Sequence, residues 1–473
     1  IHINISKVIM LSYLYLALPV FIFFFGWLKP GLALFFSVFL FAALFYGFRE
    51  LANGQNEKAL KIPIGGLFVI VGVLLIWIFM SGIGGLTWQR EDWHARNALL
   101  HDLIDNRWPV IFQDGSGLTY YVCYWMIPAI VGKMVGWNGA NVTLVIWTFI
   151  GLLLVSFLLF DLFKNSENSI TISKLGIIML FFILWGGLNI IGQFIVFLKG
   201  KGTMSLDSIY GWSPYQYTPN NALMEWVFNQ TVPASIGAML FLYERKTENV
   251  SRYGFLIMLI LPFTPFAALG AIPLFIVDML KKKCKGIWGI SNVTSVIAIL
   301  PVFGTYFFSN NAFNSENTIP VIGLYRLSGK SLLYNFVVYA VFIFVEIGLY
   351  TIFTWKENRQ DYFYRAVVIW LFIIPLIRVG TSDKRMFLMR GSIIPLFLMM
   401  IYVMKTLFID EFRKKKAVFY ALLISIVVGF YSGAGDLMLT VLNTGNPEIS
   451  NVADRVKSMN NFDDEEWNAY MAN

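Results

Sequence analysis

The stretch REDWHARNALLHD, residues 90–102, follows an apolar run and places Glu91, Asp92, His94, Arg96, His101 and Asp102 within thirteen positions. A carboxylate fixed at the mouth of a membrane segment can act as general base toward a hydroxyl, if it is held still and its surroundings tune its proton affinity. Asp92 precedes a stretch of helical periodicity, where its side-chain type commonly caps a helix. The two roles are compatible, because a cap immobilises the side chain. His94 and His101, with Glu91 or Asp92, raise a metal site. Their spacing of seven sets them two helical turns apart, roughly 10 Å along the axis, and residues that far apart rarely share one ion. Interfacial hydrogen bonding is the stronger expectation for both histidines; no metal ligand is assigned, and a divalent cation stays open.

A second group lies in KGKGTMSLDSIYGWSPYQYTPNNALMEWVFNQTVPA. Tyr210, Trp212, Tyr215, Tyr217 and Trp226 stand among amides, a composition that suits sugar faces and hydroxyls and also an interfacial aromatic belt. Asn220, Asn221, Glu225, Asn229 and Gln230 continue into the start of an apolar span, where polar groups are costly unless they face a cavity. Glu225 and Gln230 are therefore expected in a water-filled pocket. Glu346 is a lone acid at depth, expected to partner a polar neighbour in the bundle. A third group, IRVGTSDKRMFLMRGSIIP, carries Arg378, Lys384, Arg385 and Arg390. On the topology below these face outward, against the bias that keeps basic residues inside. A phosphate or pyrophosphate at headgroup level would account for them through bidentate Arg contacts, as would anionic lipid headgroups. Arg326 and Lys330 add to the same field.

The elements that must position these groups are membrane helices. Of 473 residues, 58% are hydrophobic and 14% charged, and the mean hydropathy is +0.66, too little polar surface for a soluble globule. The net charge of +8 does not point to nucleic acid. Lys281–Lys283, Lys285 and Arg413–Lys416 sit between apolar runs, where positive-inside topology explains them. Two cysteines, Cys123 and Cys284, are too few for a disulfide framework. The first apolar segment is span-length and is read as a retained helix.

Apolar runs of span length fall near 7–28, 31–48, 62–85, 141–163, 172–198, 222–243, 287–308, 333–355, 362–379, 392–408 and 417–433. The run 253–281 carries Pro262, Pro265, Gly270 and Pro273 and is flanked by basic residues at both ends, so it reads as two short helices hinged at FTPF. The run 118–137 is rich in Tyr and Trp and reads as interfacial rather than spanning. The expected architecture is an all-α polytopic membrane protein of about thirteen transmembrane helices over residues 1–433. The N-terminus is inside, and the loops 86–140, 199–221, 309–332 and 380–391 and a polar tail, 434–473, lie on the outer face. A juxtamembrane helix occupies the first loop, with Trp93, Leu99, Leu100, Leu103 and Ile104 on one side and His94, His101, Asp102 and Asp105 on the other. No internal repeat is evident.

This arrangement resembles the GT-C superfamily of membrane glycosyltransferases, which includes protein O-mannosyltransferases, the oligosaccharyltransferase catalytic subunit and the aminoarabinose transferases. The residues that carry the resemblance are Glu91 and Asp92 at the start of the first external loop, the helix from Trp93 to Asn106, Trp108-Pro109, and LTYYVCYW from Leu118. The resemblance implies transfer of a sugar from a polyprenyl-phosphate or polyprenyl-pyrophosphate donor to a glycan, lipid or protein acceptor, on the outer side of a bacterial inner membrane. It implies Asp92 as base, Glu91 as a second acid positioning Asp92 or a cation, and the outer basic residues as donor phosphate ligands. His94, Arg96, Tyr217, Asn221, Glu225, Asn229 and Gln230 complete the expected substrate-contacting set. Glu91 and Asp92 are adjacent here, whereas the family's acids are spaced by one residue. A lipid-linked glycan flippase and an O-antigen-type polymerase or ligase would share the outer arginines. A flippase would also need charged groups along a path to the other side, and the polar groups here cluster at one face.

Overall fold

In hydrocarbon a backbone must satisfy its own N–H and C=O groups, so apolar runs of this length fold as helices. The structure, a computed structural model, describes residues 1–54, 59–200, 204–206, 210–310, 321–379, 386–446, 458–459 and 471–472. In chain order the helices are α1 (Ile5–Trp27), α2 (Pro30–Gly54), α3 (Ile64–Met80), α4 (Trp93–Asp105), α5 (Met126–Leu162), α6 (Ile172–Leu184), α7 (Asn189–Leu198), α8 (Asn220–Glu244) and α9 (Tyr253–Ile260). They continue with α10 (Pro265–Lys281), α11 (Ile290–Phe308), α12 (Leu332–Ile343), a π-helical turn at Phe344–Gly348, and α13 (Leu349–Asn358). The last are α14 (Tyr362–Ile373), α15 (Met386–Gly391), α16 (Ile393–Leu407), α17 (Asp410–Arg413) and α18 (Lys416–Asn443).

The chain is mostly helical, and among the described residues six helices are long and apolar enough to cross a membrane, or seven if α6 and α7, bent by 45°, count as one span. That is the composition of a multi-pass membrane protein, but it falls short of the thirteen expected spans. Several of the others are apolar yet short, namely Ile64–Met80, Tyr362–Leu376 and Ile393–Leu407, and α8 carries Asn220, Asn221, Glu225, Asn229 and Gln230. The segment 118–137 is set off from the rest of α5 by Gly136, whose φ of 81° breaks the helix. α18 continues to Asn443 rather than ending at 433, which places Asp436 in a helix and not in the tail.

α9 and α10 form a hairpin hinged where the FTPF stretch places it. Thr264 caps α10, Pro265 opens its first turn, and the outer ends of both helices return to one end of the bundle, where Lys282 donates to the Tyr253 hydroxyl at 2.7 Å. Ion pairs tie that end together: Arg252 to buried Glu244 and to the half-exposed Glu50, each at 2.8 Å, and Arg245 to Asp278 at 2.8 Å. Among the described residues, three two-residue strand pairs staple the loops, including Gly117–Leu118 with Met471–Ala472 and Val321–Ile322 with Ile377–Arg378.

Candidate functional site

α4 lies at the opposite end of the bundle from Glu244 and packs mainly along α5, with Trp93 reaching across to α8. Trp93 stacks on Phe228 with ring centroids 5.1 Å apart, and Trp125 meets the same ring edge-on at 5.2 Å. Phe228 follows Val227, where α8 departs from helical geometry (φ −144°, ψ 41°). Leu99, Leu100 and Leu103 are buried as the periodicity requires. The polar side of α4 is not the expected one. Asp102 is buried, and its carboxylate accepts from Ser458 Oγ at 2.7 Å and the Met459 amide at 2.8 Å. Arg96 is buried too, with one guanidinium nitrogen turned back to the Asp92 carbonyl and its Nε without a partner.

Asp92 is not a capping side chain. Its backbone is already helical (φ −55°, ψ −21°) and its carboxylate makes no cap hydrogen bond. Glu91 and Asp92 are both exposed at the entrance to α4. His94 Nδ1 contacts the Glu91 carbonyl, and His101 stacks on Trp137 at 3.8 Å and 5°. Among the described residues no three His, Cys, Asp or Glu side chains come together to hold a metal ion. Beside α4 a groove of about 570 Å³ is lined by Gln89, Asn97, Trp137, Asn138 and Asn141.

Arg90, which the sequence did not single out, sits between two buried acids. Its Nη1 lies 2.8 Å from Asp436 and 3.6 Å from Glu225, and its guanidinium is flanked by Trp88 and Trp226 at 5.9 and 5.7 Å. Asn221 donates to Glu225 at 2.9 Å and accepts from Trp77 Nε1 at 2.7 Å. Tyr210 donates to Asp436, and burial followed by that carboxylate pushes the phenol well above its ordinary range. Of the two residues expected in a water-filled pocket, Glu225 and Gln230, Glu225 instead faces Arg90 and Asn221, and Asn221 in turn faces Trp77. The signal for Arg90 was its place before Glu91-Asp92; Asp436 was hidden because the helix carrying it was expected to end three residues earlier.

Tyr217 is 1% exposed and its hydroxyl donates to the Leu371 carbonyl. Tyr215, Tyr217 and Trp212 pack on Phe342, so their rings form an internal wall and not an open sugar platform. The unfilled hydrogen-bonding capacity lies further along α8. Both amide atoms of Asn229 and the Nε2 of Gln230 are buried without partners, while Gln230 Oε1 accepts from Thr264 at the hairpin tip at 3.2 Å. Arg390 and Arg378 each bury an Nε that has no partner. The Arg390 guanidinium acts on Tyr121, whose phenol burial pushes up to about 12, and Arg378 lies 5.7 Å from the Tyr325 ring. Lys384 and Arg385 lie outside the described residues. A buried donor left unpaired costs about 1–3 kcal/mol, a cost that an acceptor placed at any of these groups would relieve.

No protein-family model, curated protein or solved structure matches the chain.

Proposed function

We propose that the protein is a membrane glycosyltransferase that moves a sugar from a polyprenyl-phosphate or polyprenyl-pyrophosphate donor to a hydroxyl acceptor at the α4 end of the bundle. What supports this reading is the pair of exposed carboxylates, Glu91 and Asp92, just before α4, together with buried atoms of Arg390, Arg378, Asn229 and Gln230 that have no hydrogen-bond partner. In the proposed step the acceptor oxygen attacks the anomeric carbon and its proton passes to Asp92. The bond from that carbon to the phosphate oxygen breaks, and the electron pair leaves on the phosphate. Arg390 and Arg378 stabilise the departing charge, an electrostatic role that needs donors already in place. Arg96, Asn229 and Gln230 would orient sugar hydroxyls, and the amide-lined groove beside α4 would seat the acceptor.

The test is purified protein with polyprenyl-linked sugars. Asp92→Asn should lower transfer by roughly 10²–10⁴-fold with donor binding kept, and Arg390→Ala should weaken donor binding by about 10–100-fold. Full transfer by Asp92→Asn removes that residue from the chemistry. Movement of an intact donor across vesicles without transfer would establish the flippase reading instead.

A further inference from the structure

Glu346 lies outside that site. It sits in the π-helical turn Phe344–Gly348, a rare element that often marks function. In the continuous helix Leu332–Asn358 it is roughly 20 Å from either end at 1.5 Å per residue, near the middle of a bilayer. Its side chain is buried at 2% exposure, and neither carboxyl oxygen has a hydrogen-bond partner. The neighbouring Trp212 indole donates to Asn189 Oδ1 at 3.1 Å and acts on the carboxyl only as a long, weak donor; Asn189 Nδ2 is unpartnered.

The carboxyl is seated against a helix break. α6 stops at Leu184 and α7 begins at Asn189, with Trp185–Leu188 between them. A Cβ on Gly187 would fall 1.7 Å from Glu346 Oε2, so the backbone there is open only because glycine occupies it. Two of the carbonyls released by the end of α6 are used, Phe181 by the Trp185 amide and Phe182 by Asn220 Nδ2. The C-terminal end of α6 carries the negative pole of its dipole and the N-terminal end of α7 the positive pole. The described groups facing Glu346 are the Tyr217 and Tyr350 phenols and the Trp212 indole, none of them cationic. A carboxylate at this depth needs a counter-cation, because an unpaired charge is costly in hydrocarbon. Discontinuous helices with a buried acid are also where membrane proteins hold small cations.

We propose that Glu346 binds a small monovalent cation, a proton or a sodium ion, at the α6–α7 break. Trp212 and Tyr217 close over the carboxyl, and the chain then runs through Pro219, which packs on Gly186, into α8. This site does not depend on the chemistry proposed for the α4 end.

The experiment uses the full chain in lipid nanodiscs. In the proton arm, infrared spectra of the wild type show the carbonyl stretch of a protonated carboxylic acid, and Glu346→Gln removes it. In the sodium arm, sodium chloride titrated against choline chloride gives a saturable change in tryptophan fluorescence that Glu346→Gln abolishes. Either result supports the site and identifies its ligand. A wild type with no protonated-carboxyl band attributable to Glu346 and no sodium response overturns it. Should Glu346→Gln not accumulate, Glu346→Asp, which withdraws the carboxyl by one methylene, is read in its place. A displaced band or sodium affinity roughly tenfold weaker is then the supporting result, and no change in either overturns the proposal.

Discussion

A guanidinium between two buried carboxylates is costly to remove, because its loss leaves like charges facing each other out of water. Arg90 holds that position between Asp436 and Glu225, immediately before the two acids at the start of α4. Arg90→Met should destabilise the protein by about 3–5 kcal/mol, and Arg90→Lys by less, since one cationic point remains but the fork geometry is lost. Thermal unfolding in detergent measures both; an Arg90→Met protein that melts with the wild type would show that the cluster does not hold the loop. The polarity of Glu225 and Asn221 at the head of an apolar run was legible in sequence. Their partners were not, because Arg90 and Asp436 meet across 346 positions and nothing local to either residue announces the other.

Elements in this bundle approach as closely as their glycines permit. A Cβ on Gly270 of α10 would lie 2.0 Å from the Gly391 carbonyl oxygen of α15, a backbone atom that cannot turn aside. Gly270→Ala should therefore push α15 away, cost about 1–3 kcal/mol through overpacking, and weaken donor binding through Arg390, which α15 carries. Gly72→Ala in α3, with nothing within 4 Å of the new methyl, should instead stabilise by about 0.4–1 kcal/mol. Equal melting temperatures for the two variants would sink the argument. The α9–α10 hairpin was readable because Thr264-Pro265 both caps a new helix and blocks the old one. The α8 break at Val227 was not readable: no proline or glycine stands there, and the aromatic rings of Trp93 and Trp125 packed on Phe228 are supplied from elsewhere in the chain.

Across the whole molecule, residues 458–459 and 471–472 return to the loop that carries α4, through Ser458 and Met459 on Asp102 and through the pairing of Met471–Ala472 with Gly117–Leu118. Burial raises the Asp102 carboxyl above its ordinary range, with the two hydrogen bonds opposing it. The folded form thus binds its proton more tightly than the unfolded chain, so stability is greatest below the ordinary carboxylate range. It declines as pH rises from there through the raised value. Thermal melting against pH should show that decline in the wild type and lose it in Asp102→Asn; an identical slope in both would assign the effect to another group. Sequence alone determined that the chain is helical, apolar and multi-pass, where most helices lie, and which side chains would be costly in a membrane. It could do so because hydrophobic runs, prolines and isolated charges act over a few residues. Which polar groups satisfy one another, as Arg90 does Asp436, and which are left unpaired, as Glu346, Asn229 and Arg390 are, was decided only by the tertiary structure. A desolvated group takes whatever partner packing brings to it, and that partner comes from another part of the chain.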